Sequence, residues 1–440
     1  MIDLANMLKA PEVACPACGK IHHAGIQDVC IERGALEKVP NFVRKYNGTK
    51  AFLLADKNTW EVAGKTVADN LEKSGIAVSP YVLNMTRAEP DEHAIGSVAS
   101  HMDMSCDIFV SVGSGVINDL GKVIASLRNL PYIIVGTAPS MDGYASGLSS
   151  IIRDGLKYSL STKCADVIIG DLDILCQAPL RMIQAGVGDL FAKFISICEW
   201  RISALINGEY FCEEIASMVN RALWNCVDNL DGIAARDPEA IRTVMDGMVL
   251  AGISMNYATI SRPASGMEHY ISHIFDMRGV EFGTPIDLHG IQCGIATISS
   301  LRIYEKIREI ALPDKEKAIA YAKSFDYETW KAFLREKLGK SAEAMIEIEA
   351  REHKYDVELH KKRLDVIINN WDKIQAIIQE LPTANEAKAM LDRIGAPTTF
   401  EEIGFTKEEE QNAIRMSKDI RDKYVGSRLL WDLGLLEEFI

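Results

Sequence analysis

From about Lys50 short apolar runs alternate with segments of helical spacing: AFLLAD at 51–56, VSPYVLN at 78–84, DIFVSVG at 107–113 and PYIIVGTAP at 131–139. Runs of this length with few polar positions suit strands buried on both faces of a parallel sheet, because a half-solvated strand would alternate strictly. From about Pro179 onward the apolar positions recur at helical spacing and β-branched runs become rare. The pattern predicts an α/β, Rossmann-like N-terminal domain over residues 1–175, followed by an all-α C-terminal domain over 176–440. The charged stretch from Pro313 to Pro382 reads as helices with solvated faces, and the last twenty residues, with Trp431, read as a final helix and a docked end.

Composition changes this picture little. In 440 residues, 48% hydrophobic and 25% charged content is that of an ordinary globular chain, and a formal net charge of -14 argues against a nucleic-acid partner. No apolar run is long enough to span a bilayer, and the start has no basic segment followed by an apolar one, so a cytoplasmic protein without a membrane partner is expected. The ten cysteines are scattered and read as buried thiols. One group differs: CPACGKIHH places Cys15, Cys18, His22 and His23 at the spacing of half a structural zinc site. The second half is missing and Cys30 is the nearest further candidate, so a plain β-turn is the reading preferred over a metal site.

Candidate chemistry gathers at strand ends and on the later helices. Gly113-Ser114-Gly115 follows a strand and opens a helix near Val116, where free N–H groups and the helix dipole suit a pyrophosphate, although the full G-x-G-x-x-G is absent. Asp56, at the end of the first strong strand, could bond ribose hydroxyls or simply cap a helix; a carboxylate there favours NAD over NADP, softened by Lys57. Thr137 to Ser140 and Gly143 form a polar loop after the next strand, with Asp142 facing the same region. Asp189, His269 and His289 could converge as one carboxylate and two imidazoles, a donor set that leaves positions open for substrate.

These residues together resemble the iron-containing alcohol dehydrogenase and dehydroquinate synthase superfamily, and within it the sn-glycerol-1-phosphate dehydrogenases, including the AraM-type proteins. GSGVINDLGK, TAPSMDGYAS, GDLFAK, SRPASGMEHYISHIFDM and LHG occur in the family's order, and RDKYVGSRLLWDLGLLEE is similar to its C-terminal segment. The match spans about residues 12–310 and 395–440 and fades over 313–395.

The resemblance implies an active site in a cleft between the two domains. It implies NAD(H) or NADP(H) contacts by Asp56, Gly113, Gly115, Val116, Ile117, Asn118, Asp119, Thr137, Ala138, Pro139, Ser140 and Ser146. It implies one divalent ion, zinc or nickel, on Asp189, His269 and His289, and a substrate facing Asp142, Asp189 and His273. The ion would polarise the substrate oxygen while hydride passes between the substrate carbon and the nicotinamide, interconverting dihydroxyacetone phosphate and sn-glycerol 1-phosphate, with Asp189 and His273 as the catalytic side chains. His273, one helical turn from His269, would relay a proton or bond a hydroxyl. Arg262 is the candidate for the phosphate, with Lys163 in reserve and a structural ion pair as the alternative role. RGVEFGTPID, between His269 and His289, reads as a variable loop. A homodimer is expected. Three other functions remain open: a polyol dehydrogenase on an unphosphorylated substrate, a dehydroquinate-synthase-like lyase, and a non-catalytic cofactor-binding regulator.

Overall fold

The computed structural model describes residues 4–10, 12–84 and 89–440. The chain forms two compact units, each discontinuous in sequence: Met1–Leu190 with Ser217–Ile260, and Phe191–Ala216 with Ser261–Ile440.

The first unit is built on a six-stranded sheet whose strands all pair in parallel, in the order Asp28–Glu32, Val167–Asp171, Tyr132–Gly136, Ile108–Gly113, Lys50–Asp56 and Ala77–Leu83. The four strands expected from the apolar runs are all present, and Val167–Asp171, just ahead of the change to helical character, is a further one. Asp28–Glu32, not expected, is an edge strand and carries Cys30 into the core beneath the sheet. Alternation decides the two faces. Ala51, Leu53 and Ala55 join Val39, Val43, Val67 and Leu71 in one apolar cluster, while the ring of the intervening Phe52 meets that of Phe109, tilted and 5.2 Å away, in the other direction. Burial on both sides explains why these runs carry so few polar residues.

Strand order reverses between Lys50–Asp56 and Ile108–Gly113, because the strand that follows Lys50–Asp56 in sequence lies on its far side. In such sheets ligands bind at the carboxyl ends of the strands flanking this reversal. Asp56 and Gly113 are those two ends.

Every regular element of the second unit is helical. The helices Met267–Phe282 and His289–Arg308 pack on one another. Tyr327–Leu338 and Lys407–Ser417 pack on the first of them, and Trp371–Gln379 and Ala384–Arg393 on the second. The charged stretch is thus helical as expected, and it divides where a side chain can cap. Asp314, Asp326, Asp356 and Thr383 each accept a backbone N–H at the start of a helix. RGVEFGTPID is not a loop throughout: the helix continues to Phe282, and Gly283 ends it with a φ of 66°, leaving a short connection to His289. Among the described residues no helix is long and apolar enough to cross a membrane.

Candidate functional site

In the first unit, the strand Ile108–Gly113 runs into the helix Gly115–Arg128 through Ser114, whose side chain does not cap the helix. The Ser114 hydroxyl instead pairs with the Ser140 hydroxyl at 2.5 Å. The first N–H groups of a fourteen-residue helix therefore remain without a side-chain cap at the strand-order reversal, the arrangement that suits an anionic phosphate. Beside them, Thr137 donates its N–H to the Gly113 carbonyl at 3.1 Å. The Tyr144 hydroxyl holds the Ala138 carbonyl at 2.6 Å. Val116 is half-buried here, while Ile117, Thr137, Ala138, Pro139, Ser140 and Ser146 are buried.

Three of the expected cofactor residues have structural duties. Asp56 caps the short turn that follows it, its Oδ1 accepting the Thr59 N–H at 2.8 Å and the Thr59 hydroxyl at 3.1 Å. Asn118 donates to the Gly143 carbonyl at 3.0 Å and accepts from the Tyr132 hydroxyl at 3.1 Å. Asp119 pairs with Lys122 at 3.1 Å, and Lys122, wholly buried, also donates to the carbonyls of Gly143 and Leu148. These residues hold the 143–148 loop onto the helix.

Asp189 lies on the helix Leu180–Asn207, is wholly buried, and accepts the Asp142 N–H at 2.9 Å. Gly186, one turn earlier, explains how this helix reaches the 137–140 loop. A Cβ there would lie 1.8 Å from the Pro139 carbonyl oxygen, so only glycine lets the two backbones meet.

In the second unit, His269 and His273 stand one turn apart on Met267–Phe282, and His289 is the first residue of the next helix. The three rings gather: His269 and His289 centroids are 4.9 Å apart, His273 and His289 5.6 Å, His269 and His273 6.3 Å. Nδ1 of His269 is 2.8 Å from Oε1 of Glu268, and Nδ1 of His289 is 3.1 Å from the Ser272 hydroxyl. The Glu268 carboxylate holds the proton on Nδ1 of His269 and presents its Nε2 as a ligand, the usual setting of a metal-binding imidazole, while the Ser272 hydroxyl, which accepts from Gln292 at 3.0 Å, fixes the His289 ring. Cys293, wholly buried, offers a sulfur within 4.8 Å of ligand atoms on both His269 and His289. The donor set fits a divalent ion.

Glu268 is more than a neighbour in sequence. Its Oε1 also accepts the Gly266 N–H at 2.7 Å, while its buried Oε2 has no hydrogen-bond partner. Glu199 comes in behind, accepting from the Met267 and Gly426 N–H groups at 2.9 and 2.7 Å and from the Tyr304 hydroxyl at 2.9 Å. The two carboxylates flank Gly266, where a Cβ would sit 2.6 Å from Glu199 and 2.8 Å from Glu268. Burial raises both carboxyls well above the usual carboxylate range, and for Glu199 the Glu268 charge adds to it. The pair therefore retains a proton near neutrality.

Arg262 is not available to a substrate phosphate. It is buried in the second unit, where Nε and Nη2 meet the Glu209 carboxylate at 2.8 and 2.7 Å and Nη1 donates to the Tyr424 carbonyl at 2.8 Å. Lys163 is exposed and donates to Asn129. Sequence reasoning missed the parts played by Glu199, Glu268, Ser272 and Cys293; Cys293, four residues after His289, shared its helix face and could have been found.

The model of the iron-containing alcohol dehydrogenase family matches residues 30–179. A glycerol-1-phosphate dehydrogenase [NAD(P)+] of Halalkalibacterium halodurans is 34% identical over 292 residues, covering 66% of this chain and 73% of that protein. One of Bacillus licheniformis is 29% identical over 99% of this chain and 96% of its own length. In three dimensions the chain is similar to glycerol dehydrogenase from Schizosaccharomyces pombe, with a TM-score of 0.60 and 16% identity over 94% of this chain and 89% of that one, a likeness of fold. On a relative above 30% identity that the chain matches over most of its length, the chain belongs to the glycerol-1-phosphate dehydrogenases of the iron-containing alcohol dehydrogenase family.

Proposed function

We infer that this protein is a metal-dependent, NAD(P)-linked oxidoreductase that interconverts dihydroxyacetone phosphate and sn-glycerol 1-phosphate. The observation that carries the reading is the gathering of His269, His273 and His289 on two packed helices, in a chain whose relatives are named glycerol-1-phosphate dehydrogenase [NAD(P)+].

His269 and His289, with the Asp189 carboxylate, are the residues that would hold the ion, zinc or nickel, through Nε2 of each imidazole. A bound divalent ion supplies Lewis-acid polarisation of the substrate oxygen. Glu268 and Ser272 fix the two rings by their Nδ1 bonds, so no reorientation is needed when substrate arrives. His273 moves the proton at the substrate oxygen; its Nδ1 lies 3.8 Å from the Asp276 carboxylate, which favours the imidazolium as it forms. The Gly115 helix start takes the cofactor pyrophosphate, and Asp56, whose cap uses Oδ1, offers Oδ2 to ribose. Gly113, Thr137 to Ser140 and Ser146 line the remaining path. Asp142, held to Asp189 by its own N–H, faces the substrate.

The test is NADH oxidation in the presence of dihydroxyacetone phosphate, dihydroxyacetone and the heptulosonate precursor of 3-dehydroquinate in parallel, with zinc or nickel added and the chirality of the product determined. Turnover of dihydroxyacetone phosphate alone is expected. Equal turnover of dihydroxyacetone would make the protein a polyol dehydrogenase.

A further inference from the structure

A second group of metal-type ligands lies in the first unit, in the hairpin formed by Glu12–Ala14 and Ile21–His23. Cys15 ends the first strand and Cys18 stands in the turn; His22 is on the returning strand. Ligand atoms of these three residues all lie within 4.8 Å of one another. The turn is closed by Cys15 N–H to the Lys20 carbonyl and Gly19 N–H to the Cys15 carbonyl, both 2.9 Å. Gly19 has a φ of +70°, which lets the chain fold back immediately after Cys18.

His22 is oriented as a ligand would be. Its Nδ1 meets the Tyr257 carbonyl at 2.9 Å and its ring stacks on Tyr257 at 5.2 Å. A carbonyl can only accept, so the proton is on Nδ1 and the Nε2 lone pair points to the Cys18 sulfur, 3.4 Å away. His23, the next residue, is exposed and pairs with Glu12 at 3.3 Å. Cys30 is elsewhere, in the sheet core.

The hairpin has little else to hold it. Glu12, Val13 and Ala14 are all exposed, and Ile21 is 61% exposed. Two strands of three residues without an apolar face are not stable on their own. Yet Cys15 and His22 are buried, at 5% and 3% exposure. The buried members of the hairpin are the metal-type ligands, the pattern of a small element stapled by an ion rather than by a core.

We propose that Cys15, Cys18 and His22 bind a structural zinc ion that fixes this hairpin, separate from the metal of hydride transfer. Binding replaces two thiol protons by two S–Zn bonds and takes the Nε2 lone pair of His22; no oxidation or reduction is involved. The pair of thiolates sets this ion apart, since the histidine group of the second unit offers one sulfur, that of Cys293, and the residues assigned to hold the ion of hydride transfer are a carboxylate and two imidazoles.

The experiment is cobalt loading of the metal-stripped full-length protein. Thiolate-to-cobalt charge transfer in the near ultraviolet is expected in the wild type, unchanged in His269→Ala and absent in Cys18→Ser and Cys15→Ser. X-ray absorption at the zinc edge of the wild type, which needs no variant to fold, is expected to show sulfur neighbours at about 2.3 Å, as two S–Zn bonds require. Cys18→Ser is expected to bind one equivalent less zinc, to unfold at lower temperature and to keep its dehydrogenase turnover. A zinc-edge spectrum without sulfur, or a charge-transfer band that survives in Cys18→Ser, would overturn the proposal.

Discussion

The two groups of metal-type ligands in this chain are held in opposite ways. Cys15, Cys18 and His22 sit on an exposed hairpin, where the ligands themselves are the best-buried residues. His269, His273 and His289 sit on two long helices that would keep their places without any ion. Phe275, on the first of those helices, is clamped between Phe400 and Phe405 at 4.6 and 4.1 Å, and Arg278 donates to the Lys337 carbonyl at 2.8 Å. The difference teaches what each ion is for. On the two proposals, the ion would supply stability where the scaffold is weak and chemistry where it is over-determined. The helices over 313–395 belong to that second scaffold, and the match to the Bacillus licheniformis relative, which covers 99% of the chain, extends through them.

Short of removing a ligand, the largest effect that would sharpen this contrast is expected at His273. His273→Ala should keep the metal content of the wild type and lose turnover by on the order of 10²-fold or more, as removal of a proton-transfer group does. Metal analysis beside steady-state kinetics checks both, and loss of metal would make His273 a ligand instead.

A smaller effect is expected behind the ligands. Glu268→Gln retains the size of the side chain but weakens its hold on His269 Nδ1, and should lower metal affinity by about 10–100-fold. Competition with a chromophoric chelator reads this directly. An unchanged affinity would reduce Glu268 to a support for the Gly266 turn.

The smallest effect lies away from both groups. Burial, and then the nearby Asp419 carboxylate, push Glu349 up to about 8. Its folded form favours the proton more than the unfolded chain does, so its contribution to stability is present at low pH and is lost as pH rises through about 8. Glu349→Gln should therefore match the wild type near pH 4, where the side chain is protonated in both states, and melt several degrees higher at pH 9. Turnover should not change, because this charge belongs to the scaffold alone.

How much of this was legible in the sequence depended on range. Lys50–Asp56, Ile108–Gly113 and Tyr132–Gly136 were readable because burial on both faces excludes polar residues from them, and Ala77–Leu83, a half-exposed edge strand, by its apolar run alone. Asp28–Glu32 was not, because it is short, acidic at both ends and lies at the sheet edge. The cap at Asp56 was readable in principle, since Thr59 stands three residues on and returns its hydroxyl to the Asp56 N–H at 3.0 Å. The structural ion pair of Arg262, one of its two expected roles, could not be given a partner, because nothing near SRPASG announces Glu209, fifty-three positions away. Glu268 escaped because adjacent residues on a helix normally point apart. Here the carboxylate folds back over the first turn, where the Gly266 N–H draws it.

The central claim is that the imidazoles of the second unit hold the ion on which hydride transfer depends. Its most direct measurement is the metal content of purified His269→Ala, taken together with its rate of NADH oxidation by dihydroxyacetone phosphate. The account predicts that one equivalent of metal is lost and that turnover falls by on the order of 10³-fold with it, since a Lewis acid contributes several kcal/mol to the barrier. A variant that has lost that metal but turns over at the wild-type rate would contradict the account.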